Sequence, residues 1–201
     1  VEVLNRLYAR GLTKEAIVRF QLGVDVDSFS RGTKQGKCLV IPILAGGKVV
    51  SVKKILRTDG ERHIKTIGKA KLLYNKDALS EVQDERVFIC EGETDCMRLV
   101  QEGLLAVTGC AGAATWDKNW NALFKGRDVI LVFDSDQTGR NGASKVIASL
   151  ARITKSIKNV DLFPGTTDKM QKDVTDFLAT KSFQDFLDVV EKTPCLTSTD
   201  A

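Results

Sequence analysis

Two short apolar segments that each end in carboxylates constrain this sequence more than any other feature. The first (87–90) is followed directly by Glu91, and the second (129–133) is followed by Asp134 and Asp136. Apolar runs of this length are typical of strands that are buried on both faces of a parallel sheet. Open α/β sheets bind ligands at the carboxyl ends of their strands. The sequence therefore predicts an acidic site at one edge of an α/β sheet.

A third acidic segment, with Asp173 and Asp176, lies further along the chain. Several carboxylates brought together repel one another unless a cation lies among them, and hard oxygen ligands favour Mg²⁺ or Mn²⁺. Glu91 is the candidate for general acid/base chemistry or for a further metal ligand, since both roles need a carboxylate held at a strand end. We therefore expect a divalent-metal site that handles phosphates.

The charge of the chain is unevenly distributed. Residues 1–80 contain 16 Lys and Arg against 7 Asp and Glu, whereas residues 81–201 contain 14 and 19. A basic half beside an acidic half predicts a polyanion-binding surface next to a metal centre, although a solvated lysine-rich surface gives the same numbers.

Cysteine and histidine usage argues against a zinc site. The five cysteines include no C-x-x-C pair, and there is a single histidine, so we expect no zinc within this chain. An odd number of thiols in apolar surroundings predicts reduced cysteines in a cytosolic protein. No apolar run approaches the roughly 20 residues that cross a bilayer, so we expect no membrane partner.

The periodicity of the sequence predicts two regions. In the first we expect a helix over 12–23 with Thr13 as its N-cap, a loop over 24–36, and antiparallel strands over 38–43, 48–57 and 64–67. From residue 87 strands alternate with helices: strands over 105–108, 129–133 and 160–163, and helices over 95–103, 116–123, 142–153 and 183–190. Such alternation predicts an α/β fold with a mostly parallel sheet flanked by helices. We expect a basic α+β subdomain over 1–84 and the α/β domain over 85–201.

The acidic pattern resembles the Toprim domain, a family marked by a glutamate and glycine after one strand and D-x-D after another. The resemblance covers roughly residues 85–180. It implies that Glu91 is the catalytic glutamate and that Asp134 and Asp136 bind metal. The family includes DNA primases, topoisomerases and certain nucleases.

Flanking residues are most similar to those of primases. Gly139 and Gly142 follow the D-x-D at the offsets of primases, and the segment 172–178 resembles a further acidic motif of phage and plasmid primase-helicases. A proline and an aspartate common in bacterial primases are replaced here by Val174 and Thr175. The third metal position is therefore open: Asp173 is favoured, and Asp176 is either a ligand or a helix cap.

The N-terminal region resembles the basic subdomain that precedes Toprim in these primases. The resemblance implies that six residues hold the template strand and the incoming triphosphate: Lys53, Lys54, Arg57, Lys65, Lys69 and Lys71. Counterion release and phosphate pairing give the physical reason, and a solvated strand face is the alternative for any one lysine. Asp95 is expected at the start of the helix after Glu91, either as its N-cap or as part of the nucleotide site.

The resemblance implies the catalytic core of a DNA primase, with Mg²⁺ or Mn²⁺ as cofactor. Single-stranded DNA and ribonucleoside triphosphates would be its substrates, and a replicative helicase, fused or separate, its partner. The expected location is the cytoplasm of a bacterial cell, with a phage or plasmid as a possible source. The chain contains neither a zinc ribbon nor a phosphate-loop helicase motif. The alternatives are a Toprim nuclease, a topoisomerase fragment, a non-catalytic single-strand-binding module and a receiver- or phosphatase-like domain.

Overall fold

The fold is taken from a computed structural model, which describes residues 2–29, 33–58, 60–81, 86–112, 115–166 and 172–196. Within these residues two sheets pack against each other through shared apolar side chains. The predicted division between residues 84 and 85 lies outside the described residues. None of the described helices combines the length and the apolar character that crossing a bilayer demands.

The first sheet is an antiparallel meander in the order β1-β2-β3-β4. Its strands are β1 (Gly23–Phe29), β2 (Lys34–Ala45), β3 (Lys48–Thr58) and β4 (Glu61–Gly68). Two helices precede it, α1 (Glu2–Ala9) and α2 (Lys14–Arg19). The hydroxyl of Thr13 accepts a hydrogen bond from the backbone N–H of Ala16 at 3.2 Å, so the predicted N-cap is confirmed.

Two expectations for this region are wrong. The predicted helix over 12–23 is limited to α2, and most of the predicted loop over 24–36 is strand, since β1 and the start of β2 occupy it. The β1 sequence alternates valine with aspartate, and Asp25 and Asp27 accept hydrogen bonds from Lys54 at 2.6 and 2.8 Å. These ion pairs support a strand whose composition is typical of a loop.

The second sheet confirms the predicted mostly parallel α/β fold. It has the order β10-β9-β8-β6-β7-β5, and the pairs β6–β7, β6–β8 and β8–β9 are parallel. Its strands are β5 (Leu73–Tyr74), β6 (Arg86–Cys90), β7 (Ala106–Gly109), β8 (Asp128–Val132), β9 (Ser156–Val160) and β10 (Cys195–Leu196). The predicted strand over 160–163 begins four residues too late, because β9 begins at Ser156 and ends at Val160.

Helices cover both faces of this sheet. They are α3 (Ala78–Glu81), α4 (Glu93–Gln101), a 3₁₀ helix (Lys118–Phe124), α5 (Gln137–Leu150), α6 (Val174–Thr180) and α7 (Phe183–Lys192). Helix α5 begins five residues before the predicted start, because Asp136 caps it through a hydrogen bond from the N–H of Gly139. The D-x-D segment is therefore joined to a helix N-terminus without an intervening loop.

Alternating side chains of the central strands build two apolar clusters. Phe88 and Ile130 point to the face covered by α4, α6 and α7, and Val87 and Leu131 point to the face covered by α5. Ile41 of β2 is fully buried in the first cluster. Its burial fixes the meander against the carboxyl-end side of the parallel sheet, which is where the acidic residues lie.

Candidate metal and phosphate site

Three carboxylates from three separate segments meet at the carboxyl ends of the parallel strands. Asp134 follows β8, Asp95 lies in the first turn of α4, and Asp173 is the N-cap of α6. One oxygen from each lies within 4.8 Å of the others. Hard anionic oxygen donors at this spacing fit Mg²⁺ or Mn²⁺ and do not fit a soft metal.

Glu91 lies beside this cluster, directly after β6. Its Oε2 accepts a hydrogen bond from the backbone N–H of Asp134 at 3.2 Å. Burial, and then the negative charge of Asp134, raise the pKa of Glu91 to about 7. A carboxyl group with a pKa near neutrality can both accept and release a proton, as a general acid/base requires.

Asp95 is placed differently from the sequence-based expectation. Gly92 occupies the N-cap position of α4, and the Asp95 carboxylate is buried and accepts from Thr175, at 3.2 Å from its N–H and 2.6 Å from its hydroxyl. Burial, and then Asp173, raise the pKa of Asp95 to about 7. The N-cap expectation is therefore wrong. The structure brings Asp95 into the carboxylate cluster, which residue spacing within α4 does not reveal.

Asp136 and Asp176 both cap helices. Asp136 accepts from the N–H of Gly139 at 2.9 Å, and this hydrogen bond lowers its pKa. Asp176 forms a capping box with Asp173 and accepts from the N–H of Lys172 at 3.1 Å. Neither belongs to the group of three carboxylates among the described residues, so metal binding by either stays a prediction.

Two cationic side chains compensate the carboxylates. The Lys172 ammonium donates to Asp134 and, at 2.9 Å, to Asp136. The guanidinium of Arg10, in the turn directly after α1, donates to Asp173 at 2.7 Å and lies 3.6 Å from Asp95. Burial lowers the pKa of Lys172, but its hydrogen bonds to Asp134 and Asp136 raise the pKa overall. The sequence pattern did not single out either cation.

The acidic cluster forms one wall of a cavity of about 450 Å³. The meander and α1 line another part of the cavity, here called the basic wall, and contribute Arg6, Arg57 and Arg62. Arg57 and Arg62 are direct partners across β3 and β4. Burial, and then Arg62, lower the pKa of Arg57, so the cavity concentrates positive charge that an anion would neutralise.

Apolar side chains complete the cavity. They are Val3, Leu7, Leu39, Ile55 and Ile64. A cavity of this size, with an acidic wall, a basic wall and an apolar surface, matches the chemistry of a nucleotide with its metal, phosphates and base.

The predicted basic residues are divided among different environments. Arg57 faces the cavity, whereas the ammonium of Lys53, which also lines it, is buried against Glu93 at 2.7 Å. Lys54 and Lys65 pair with Asp27 on the other face of the meander, and Lys69 and Lys71 are exposed outside the cavity lining. Phosphate binding by the six residues stays a prediction.

Sequence reasoning missed Arg6, Arg10 and Arg62. Arg6 lies in α1 and Arg10 in the turn that follows it, and α1 itself was not predicted. Arg62 required the register of the β3–β4 hairpin, in which it lies opposite the predicted Arg57.

Residues 88–178 match the family described as Toprim-like. The chain is 25% identical over 187 residues to the DNA primase of Helicobacter pylori strain J99, in a match that covers 74% of the chain and 33% of that protein. The chain thus spans about a third of the length of the curated relatives that it matches.

Solved structures with similar folds are also primases. A DNA primase domain from Pseudomonas aeruginosa aligns with a TM-score of 0.75 at 19% identity, covering 96% of this chain and 72% of that one. The Aquifex aeolicus primase, with its zinc-binding and RNA polymerase domains, aligns with a TM-score of 0.74 at 18% identity, covering 97% and 56%. The bacteriophage T7 primase domains bound to an RNA/DNA hybrid give 0.69 at 20%, covering 94% and 91%.

Proposed function

Because residues 88–178 form a Toprim-like domain and the chain is similar to DNA primases over most of its length, we propose that it is a primase catalytic core. In this proposal it joins ribonucleoside triphosphates into short RNA primers on a single-stranded DNA template. One observation carries the proposal: three carboxylates within 4.8 Å of one another line a cavity that is also lined by arginines.

The acidic wall would bind the cofactor. Asp95, Asp134 and Asp173 would hold Mg²⁺ or Mn²⁺, with Asp136 as a further candidate. When bound, such an ion neutralises phosphate charge and stabilises the leaving pyrophosphate. Glu91 lies beside the cluster with a pKa of about 7, and it would accept the proton of the attacking 3′-hydroxyl.

The basic wall would bind the polyanionic substrates. Arg57 and Arg62 present adjacent guanidinium groups on the cavity side of the meander, and guanidinium groups pair with phosphate in a bidentate manner. The apolar surface beside them suits a base but offers it few hydrogen bonds. We therefore expect phosphates to dominate the affinity of this wall for template and nucleotide.

Partners and context belong to the same proposal. A replicative helicase, fused or separate, would deliver the single strand. We also propose that the chain is divided into a basic subdomain and a Toprim domain. The proposal includes a bacterial cytoplasmic location and a phage or plasmid origin.

Primer synthesis tests the function directly. The protein is incubated with single-stranded DNA, the four ribonucleotides and either Mg²⁺ or Mn²⁺, and labelled products are resolved on a denaturing gel. We expect metal-dependent short RNAs that are lost in Asp134→Asn and retained in Asp188→Asn, a matched change at an exposed position of α7. RNA synthesis that survives in Asp134→Asn would contradict the proposal. Shortened DNA without RNA would instead favour the nuclease.

A further inference from the structure

Lys172 is held so that its ammonium lies between two carboxylates of the D-x-D segment. Its Nζ donates to Asp134 and, at 2.9 Å, to Asp136. Asp134 also belongs to the group of three carboxylates that could hold a divalent cation. The ammonium and a metal bound by Asp134 therefore compete for the negative charge of the same carboxylate.

The backbone around Lys172 is also fixed to this segment. The N–H of Ser135, between the two aspartates, donates to the Lys172 carbonyl at 2.8 Å, and the N–H of Lys172 donates to Asp176 at 3.1 Å. These bonds hold the lysine in register with the D-x-D segment. The backbone of Lys172 is thus fixed beside the two carboxylates, within reach of its side chain.

The side chain nevertheless has an alternative place to go. Lys172 is 29% exposed and lines the same cavity as Arg57 and Arg62. Rotation about its four-carbon stem can carry the ammonium from the carboxylates into the cavity, where a triphosphate would provide new anionic partners.

We propose that Lys172 is an internal cation that neutralises Asp134 and Asp136 until a nucleotide arrives, so that the divalent metal and the triphosphate bind cooperatively. The inference rests on the proposed function for the identity of the anion. Without a nucleotide, the metal must displace the ammonium and leave it without an anionic partner. With a nucleotide, the displaced ammonium pairs with phosphate, and each ligand raises the affinity for the other.

Arg10 provides a comparison within the same site. It compensates Asp173 and Asp95 from the turn after α1, at 2.7 and 3.6 Å. It donates to neither Asp134 nor Asp136 in the described hydrogen bonds. The two cations thus divide the acidic wall, and we assign the competition at the D-x-D to Lys172.

The first part of the test measures Mn²⁺ binding in the absence of nucleotide. Electron paramagnetic resonance of free Mn²⁺ monitors the binding. We expect Lys172→Met to bind Mn²⁺ about tenfold more tightly than the wild type, because a positive charge in contact with the ligands has been removed. Lys172→Arg, which keeps the charge, should stay near the wild-type affinity. Lys145→Met, which removes an exposed lysine of α5, is the matched control and should change nothing.

Binding of a fluorescent non-hydrolysable ribonucleoside triphosphate at saturating Mn²⁺ is the second part. We expect Lys172→Met to bind the nucleotide about tenfold more weakly than the wild type, since the released ammonium is absent. Opposite effects on the two ligands distinguish this role from a structural one, because a misfolded site would weaken both.

The possible failures separate the two levels of the argument. If neither the wild type nor any variant binds Mn²⁺, the proposed metal site itself is wrong. If the wild type binds Mn²⁺ and Lys172→Met binds it no more tightly, only the competition is overturned. A thermal unfolding curve of each variant, recorded with chelator, confirms that the comparison is made between folded proteins.

Discussion

At the scale of single residues, Gly139 permits the closest approach in the site. A Cβ atom at this position would lie 2.0 Å from the Asp134 carbonyl oxygen and 2.8 Å from Oε2 of Glu91. The backbone and the Glu91 carboxylate therefore come together only because residue 139 has no side chain. The family resemblance marked this glycine, and the structure supplies the steric reason.

We predict that Gly139→Ala loses primer synthesis and about 1–3 kcal/mol of stability, as overpacking of a buried site commonly costs. Urea unfolding and the primer assay measure the two effects. Gly23→Ala is the matched control, because its Cβ would meet Val40 at an ordinary 3.7 Å. An alanine at 139 that leaves both properties intact would show that this close contact is unimportant.

The raised pKa values of Glu91 and Asp95 predict how the metal-free protein responds to pH. Both groups bind their proton more tightly in the folded chain than in the unfolded chain. Their contribution to stability is therefore present at low pH and is lost as the pH rises through their folded pKa values of about 7.

With chelator present, the free energy of unfolding should fall between about pH 4.5 and pH 7, by an amount on the order of 1–3 kcal/mol for Glu91. In Glu91→Gln this fall should be smaller, whereas Glu81→Gln, an exposed change in α3, should follow the wild type. Unfolding in urea at a series of pH values measures how far the free energy of unfolding falls in each protein. Equal slopes in Glu91→Gln and the wild type would contradict the pKa of about 7.

At the scale of elements, a buried ion pair joins the meander to helix α4. The Lys53 ammonium of β3 donates to both carboxylate oxygens of Glu93 in α4, at 2.7 and 2.9 Å, and to the carbonyl of Cys110 at 3.0 Å. Removing one partner leaves the other charge buried without compensation. The pair therefore positions the basic wall relative to the acidic wall.

Lys53→Met and Glu93→Gln should each cost about 3–5 kcal/mol in urea unfolding. The double variant should cost less than the sum of the two, because neither charge is then left alone. Additive effects in this double-mutant cycle would indicate that the two side chains do not interact. Such a result would favour the predicted role of Lys53 as a phosphate ligand.

The elements also show what local sequence can and cannot predict. The strands β6 and β8 were predicted because they are buried on both faces, which requires continuous apolar runs. Strand β1 was missed because its Asp25 and Asp27 are compensated by Lys54, which is 27 residues or more away in sequence. Periodicity records which residues are apolar but not which charges are paired across a sheet.

The site divides in the same way. Glu91 and Asp134 could be identified because each follows a recognisable strand. Asp95 and Arg10 acquire their positions from Thr175 and Asp173, 80 and 163 residues away. Contacts of this separation depend on how α1, α4 and α6 pack, and no short motif encodes that packing.

At the scale of the whole molecule, the cavity is lined by carboxylates at the carboxyl ends of the parallel strands and by arginines of the meander. We predict that Arg62→Gln weakens binding to single-stranded DNA and reduces the slope of log affinity against log salt by about 0.7, the value for one phosphate contact. Lys145→Gln, at an exposed position of α5 outside the cavity lining, is the control for a lost positive charge. Fluorescence anisotropy over a salt series measures both. An unchanged slope in Arg62→Gln would place the DNA elsewhere.

The hydrogen bond from Arg10 to Asp173 joins residues 163 positions apart. Closing so long a loop is entropically costly until the intervening sheets have formed, and contacts of this separation slow folding. On a ribosome, the acidic wall is incomplete until α6 has emerged, long after α1 has been synthesised. A nascent or truncated chain that ends before residue 173 consequently lacks one of the three clustered carboxylates, so the proposed metal site cannot form until that residue has been translated.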